Sequence, residues 1–204
     1  MAILIGLLLG LSTLVFIGPV LLYLIKVSLE NGFKGGAAVA LGIIIGDIIC
    51  VGIAVTGFKK IFDDENNLFW FAMVGGAILL AMGIKNIFKP TLEFDVSQKK
   101  KIKNQTLLIY FINGFALNFI NPFVFAVWFG FSIFLQSQVE HDSEVLIGLV
   151  FALLVIFITD LLKAYYAKRV FSLIAPNRLK KLFKAFGFIM VLFSLRLFYY
   201  CYVI

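Results

Sequence analysis

The stretch from Asn104 to Val139 reads NQTLLIYFINGFALNFINPFVFAVWFGFSIFLQSQV, 36 residues without a single Lys, Arg, His, Asp or Glu. A helix crosses the hydrocarbon core of a bilayer with about 20 mostly apolar residues. This run is longer than one straight crossing requires, and Asn121-Pro122 interrupts it near its middle. It reads as a broken membrane helix, and the rest of the chain is built in the same way. Ala2–Ile25 and Asn66–Ile84 carry no charge; Gly35–Phe58 carries only Asp47, Val145–Leu162 only Asp160, and Ala185–Ile204 only Arg196. The expectation is an all-α membrane protein of six transmembrane helices. Helices are chosen because backbone groups in lipid must be satisfied within their own segment. A β-barrel would show alternating segments of about ten residues, and none is present.

Composition agrees. Of the 204 residues 62% are hydrophobic and 14% charged, against about 45–50% and about 25% in soluble domains. A water-soluble globule and a disordered chain are both excluded. The formal charge of +7 invites a nucleic-acid reading, but the charges sit in short loops between apolar runs. The loops after the first, third and fifth runs hold Lys26 and Lys34, then Lys85, Lys89, Lys99, Lys100, Lys101 and Lys103, then Lys163, Lys168, Arg169, Arg178, Lys180, Lys181 and Lys184; those after the second and fourth hold only Lys59 and Lys60. Cytoplasmic loops collect Lys and Arg, so both termini are expected outside, with no nucleic-acid partner. Cys50 and Cys201 lie in apolar runs without CxxC spacing, and signal neither a metal site nor a disulfide framework.

The two halves share landmarks in the same order. Leu14-Val15-Phe16-Ile17-Gly18-Pro19 answers Leu117-Asn118-Phe119-Ile120-Asn121-Pro122; Ile45-Gly46-Asp47-Ile48 answers Ile158-Thr159-Asp160-Leu161; Gly76-Ala77-Ile78 with Lys85 answers Gly187-Phe188-Ile189 with Arg196. An inverted three-plus-three repeat within one transporter domain is therefore expected. Residues 1–88 form the first half, 89–105 a basic cytoplasmic linker, and 106–204 the second half.

Within the runs, Pro19 and Pro122 each remove an amide donor and clash with the preceding turn, which would bare carbonyls inside a helix. Gly18 opens the backbone beside Pro19, and Asn118, Asn121 and the nearby Asn113 add side-chain amides. The plain alternative is a kink satisfied by a neighbouring helix. Asp47 has no charged neighbour within ten residues, whereas Asp160 has Lys163 one turn away. A carboxylate near a helix centre costs on the order of 2.5–3.5 kcal/mol, so each must face protein or a wet cavity. Either suits proton exchange; a hydrogen-bonded structural carboxyl for Asp47 and a pair with Lys163 for Asp160 are the structural alternatives. Lys85 and Arg196 read as cations snorkelling at helix ends. Gly42 and Gly46, spaced as small-xxx-small, read as helix packing and permit a homodimer.

These residues resemble a known family. Gly18-Pro19, Gly32-Phe33-Lys34-Gly35, Gly42 and Gly46-Asp47 look like the N-terminal signature of the LysE-type translocators, the lysine exporter and RhtB group. Gly114-Phe115-Ala116-Leu117-Asn118-Phe119-Ile120-Asn121-Pro122 resembles that family's second signature, centred on an Asn-Pro pair. The resemblance implies a bacterial inner-membrane exporter of amino acids or related zwitterionic metabolites, driven by protons, with no cofactor and no enzymatic activity. Gly18, Pro19, Asp47, Asn121 and Pro122 would belong to its pathway, with Asn118 and Asp160 beside them. Two positions depart from the pattern: Ile17 stands where the family often has proline, and Phe123 where lysine usually follows Asn-Pro. The missing lysine leaves the substrate open. The alternatives are a metal-ion exporter, a non-transporting scaffold or accessory subunit, a membrane enzyme, and redox carriage through Cys50 and Cys201.

Overall fold

The computed structural model describes residues 1–15, 18–62, 65–88, 106–173 and 176–203; the basic linker expected at 89–105 lies outside them. Every regular element among the described residues is a helix. They are α1 (Ala2–Ser12), closed by a 3-10 turn at Thr13–Val15, α2 (Pro19–Phe62), α3 (Glu65–Phe88), α4 (Leu107–Phe119), α5 (Pro122–Gln136), α6 (Asp142–Tyr165), α7 (Ala167–Leu173) and α8 (Pro176–Val203).

By length and composition, Pro19–Thr56 and Asp142–Tyr165 can each cross a membrane, and the bent pair α4–α5 is apolar enough for a third crossing if its two arms form one broken span. Ala2–Ser12, Ala72–Phe88 and Gly187–Tyr199 are apolar but shorter. Two of the apolar runs are broken at their prolines, as expected. The first stops at Ser12 and restarts at Pro19, and the fourth stops at Phe119 and restarts at Pro122 with a bend of 64°.

α2 is too long to be one crossing. The 38 residues of Pro19–Thr56 would extend about 57 Å at 1.5 Å each, nearly twice the hydrocarbon thickness. Gly32 divides it, with φ 73° and ψ −175°. This conformation belongs almost solely to glycine, since a Cβ there meets its own backbone. The chain then folds back on itself: a Cβ added at Gly35 would lie 3.0 Å from Val27 Cγ1, eight residues earlier, and one at Gly36 would overlap Ser28 Oγ. Residues 19–31 and 33–62 thus form a helical hairpin with a one-residue turn.

The chain divides into two compact units, Met1–Val55 with Asp95–Leu173, and Thr56–Phe94 with Ile174–Ile204. In the first unit α1 lies along α6, with Gly6 on Gly148 and Gly10 on Ala152 and Val155. Numbers rise together on both, so the two run parallel. The second arm of α2 runs parallel to α4 in the same way: Gly114 sits on Val39, Gly42 on the backbone of Phe111 and Phe115, and Gly46 on Asn118. In the second unit α3 and α8 run antiparallel, Phe69 meeting Cys201, Gly76 meeting Phe198, and Gly83 meeting Gly187. Glycines mark all three seams because lipid supplies no hydrophobic force between helices, so attraction comes from close backbone approach. Apolar side chains such as Leu4, Leu8, Ile45, Ile48, Leu154 and Ile158 lie exposed. That much bare apolar surface on single helices suits lipid as the surrounding medium.

Candidate functional site

The site begins with a backbone interruption. α4 ends when the amide of Asn121 turns back to the carbonyl of Asn118 at 3.1 Å. α5 then starts afresh: Asn121 is its N-cap, accepting the Phe123 amide on its side-chain oxygen at 3.1 Å, and Pro122 takes the first helical position. Pro19 opens α2 similarly, with the Gly18 carbonyl accepting from the Leu22 amide at 3.1 Å. Neither proline therefore sits inside a continuous helix baring the carbonyls of a strained turn. Each stands at an N-terminus, where its missing amide has no partner to lose and its fixed φ suits the helix. The helices are broken as expected, but by restarting and not by kinking.

Beside the second break, α2 presents Asp47. This carboxyl is 4% exposed, and its Oδ1 accepts two hydrogen bonds: 2.9 Å from Asn118 Nδ2 and 2.8 Å from Trp128 Nε1. Asn118 Nδ2 also donates to the Ile43 carbonyl, one turn before Asp47, at 2.9 Å. Gly46 makes room for that amide, since a Cβ there would come within 3.0 Å of Asn118 Nδ2. Asn118 belongs to the last turn of α4 and Trp128 to α5, so the two donors come from opposite sides of the break. Phe119 and Phe125 also meet across it, with ring centroids 5.6 Å apart. Trp128 is packed edge-on against Phe131 at 5.7 Å and is 1% exposed. Both donors to Asp47 are neutral, and among the described residues no cation pairs with it.

Asp160 differs. It is 7% exposed, on α6, and Oδ1 meets Lys163 Nζ at 2.9 Å on the next turn of the same helix. The two carboxyls belong to one unit.

Of the residues singled out in the sequence, Asp47, Asn118, Gly42 and Gly46 come together at the α2–α4 seam, and Asn121-Pro122 forms the adjoining break. Gly18 and Pro19 make no hydrogen bond to this cluster among the described residues; space is open around Gly18, and Pro19 is exposed. Asn113 instead donates to the Tyr23 hydroxyl at 3.0 Å. Lys85 and Arg196 are both exposed, as snorkelling cations would be. Cys50 and Cys201 are free thiols.

Trp128 is the side chain of this cluster that sequence reasoning passed over. A signal existed: a buried indole N–H needs an acceptor, and the apolar runs offer only two carboxylates.

No curated protein and no solved structure gives a significant match to the chain. One family description does, the LysE type translocator, over residues 11–201. That match takes in both breaks, both aspartates and the glycines of the α2–α4 and α3–α8 seams, and the chain belongs to the LysE type translocator family.

Proposed function

We propose that this chain is a secondary transporter of the bacterial inner membrane that exports an amino acid or a similar small zwitterion in exchange for protons. Family membership supports the coarse part, a multi-pass membrane exporter of amino acids or similar compounds. The finer part rests chiefly on one observation: Asp47 is buried and held only by neutral donors. A carboxylate so placed carries a charge that no fixed side chain among the described residues balances. A mobile cation, whether a proton or the ammonium group of a cargo, supplies the balance. Asp160 has a fixed partner in Lys163 and is the second candidate. The breaks before Pro19 and Pro122 would offer helix termini to the cargo's charged ends, as broken transporter helices do.

Six alternating crossings, with both termini on one side, fit the helix directions; the side itself, outside, rests on the basic loops. First and fifth crossings would run parallel, as α1 and α6 do; second and fourth likewise, as in α2 and α4; third and sixth would oppose, as α3 and α8 do. An inverted repeat exchanging the two halves maps the α1–α6 seam onto the α4–α2 seam, and leaves α3 paired with α8.

The test is amino-acid release from cells loaded with dipeptides, comparing the parent protein, Asp47→Asn and an empty vector, with and without an uncoupler. Release above vector that stops with the uncoupler and with Asp47→Asn is expected. Absence of any amino-acid release above vector overturns the cargo class, and release indifferent to the uncoupler overturns proton exchange.

A further inference from the structure

We infer that Trp128 and Asn118 are positioning residues that clasp the two arms of the broken α4–α5 helix onto a single oxygen of Asp47, so that the bend is set by that carboxyl. The covalent link across the break is a short turn, with Ile120 exposed and Asn121 occupied in capping α5. Backbone bonding at the break stays local, from the Ile120 amide to Ala116, from Asn121 to Asn118, and from Val124 to Asn121. No backbone bond there joins the body of one arm to the body of the other. Side chains make that connection. Asn118 Nδ2 fixes the end of α4 both to Asp47 and to the Ile43 carbonyl, and so to α2. Trp128 Nε1 brings α5 to the same Oδ1 at 2.8 Å. Phe119 and Phe125 add an apolar contact across the break, but a tilted ring pair has no directional donor and tolerates sliding.

One acceptor serving two arms has a consequence that separate acceptors would not. A cation that settles on the Asp47 carboxyl draws charge from both hydrogen bonds at once and loosens both arms together. Cargo binding and the angle of the bend are then one event. This coupling rests on the exporter reading, whereas the clasp itself is independent of what is carried.

The experiment measures the bend directly, by spin-label distances between cysteines placed at the exposed positions Leu108 of α4 and Phe134 of α5. Cys50→Ser and Cys201→Ser remove the native thiols, and the full chain is held in lipid nanodiscs. Each arm is about 20 Å long, so a change of about 15° moves its far end by about 5 Å. Trp128→Phe keeps an aromatic ring and deletes the donor; a shift of a few ångström, or a distribution at least twice as broad, is expected. Asp47→Ala deletes the acceptor and should do the same, and combining the two should add little to either. Phe131→Leu changes the packing around the indole without touching Nε1, and should leave the distance where it is. Unchanged distances in both Trp128→Phe and Asp47→Ala overturn the clasp, as does a shift in Phe131→Leu equal to that in Trp128→Phe. Where Trp128→Phe does not fold, Asp47→Ala and Asn118→Leu carry the same test. The distances need no transport, so absent amino-acid release would sink the exporter reading while leaving this result standing.

Discussion

Asp47 and Asp160 occupy answering places in the two halves of the chain, and their surroundings are opposite. Both are buried, Asp47 near the middle of the second arm of α2 and Asp160 in the last two turns of α6. Asp160 is neutralised by its own helix, through Lys163 one turn on. Asp47 is held from outside its helix, by an amide and an indole that belong to two other elements. A carboxylate with a fixed countercharge is electrically complete and stabilises one arrangement. A carboxylate with neutral donors alone is polar enough to stay solvated by protein yet still available to a travelling cation. The comparison teaches that burial alone does not tell two membrane carboxyls apart. What its partners are, and whether they are charged, separates the two.

The largest expected effect breaks the comparison if it fails. Asp47→Asn should reduce export at least tenfold, whereas Asp160→Asn paired with Lys163→Met should retain most of it, measured as initial release rates at matched protein levels. Equal loss in both would place the two aspartates in one role. The next effect concerns stability. Lys163→Met alone leaves Asp160 without its countercharge and should cost about 3 kcal/mol, read as a lower thermal midpoint; adding Asp160→Asn should recover most of it. Trp128→Phe removes a hydrogen bond to the Asp47 carboxyl, a loss of about 1.5–3 kcal/mol. Gly32→Ala should cost about 1–3 kcal/mol, because φ 73° with ψ −175° excludes a side chain. Gly130→Ala, whose new methyl would meet nothing within 4 Å, should be neutral or slightly stabilising on account of helix propensity. The smallest effect is none: Cys50→Ser with Cys201→Ser should export at the parent rate, and loss of export there would revive redox carriage.

Much of this was legible in the residues. The uncharged runs announced helices in lipid, Asn121-Pro122 announced a break, and Lys163 announced the partner of Asp160 through its spacing on one helix face. Local rules suffice for such features because the interacting groups are neighbours along the chain. The prolines were misread in detail. Their ring geometry permits either a kink or a fresh start, and only the hydrogen bonds around Gly18 and Asn121 decide between them. The donors to Asp47 were half legible. Asn118 was noted as an amide near the break, but its reach to a residue 71 positions earlier is a property of the α2–α4 seam. Trp128 was missed because a restarted helix resets the rotational phase, so counting turns from Asn118 to Trp128 gives no indication that both face one oxygen. Gly32 was read as part of a signature, with no sign that it reverses the chain within a single residue.

That reversal has a practical consequence for anyone who wishes to tag or split the molecule. A one-residue turn between two packed arms has no slack: an epitope inserted at Gly32 must unwind one arm or pry Gly35 and Gly36 away from Val27 and Ser28. The segment Ser137–His141, between α5 and α6, is different, being non-helical and largely exposed. Insertions are tolerated where the backbone is solvent-facing and free of packing duties. An affinity tag or a circular-permutation joint therefore belongs between α5 and α6, and the hairpin at Gly32 is the place to leave uncut.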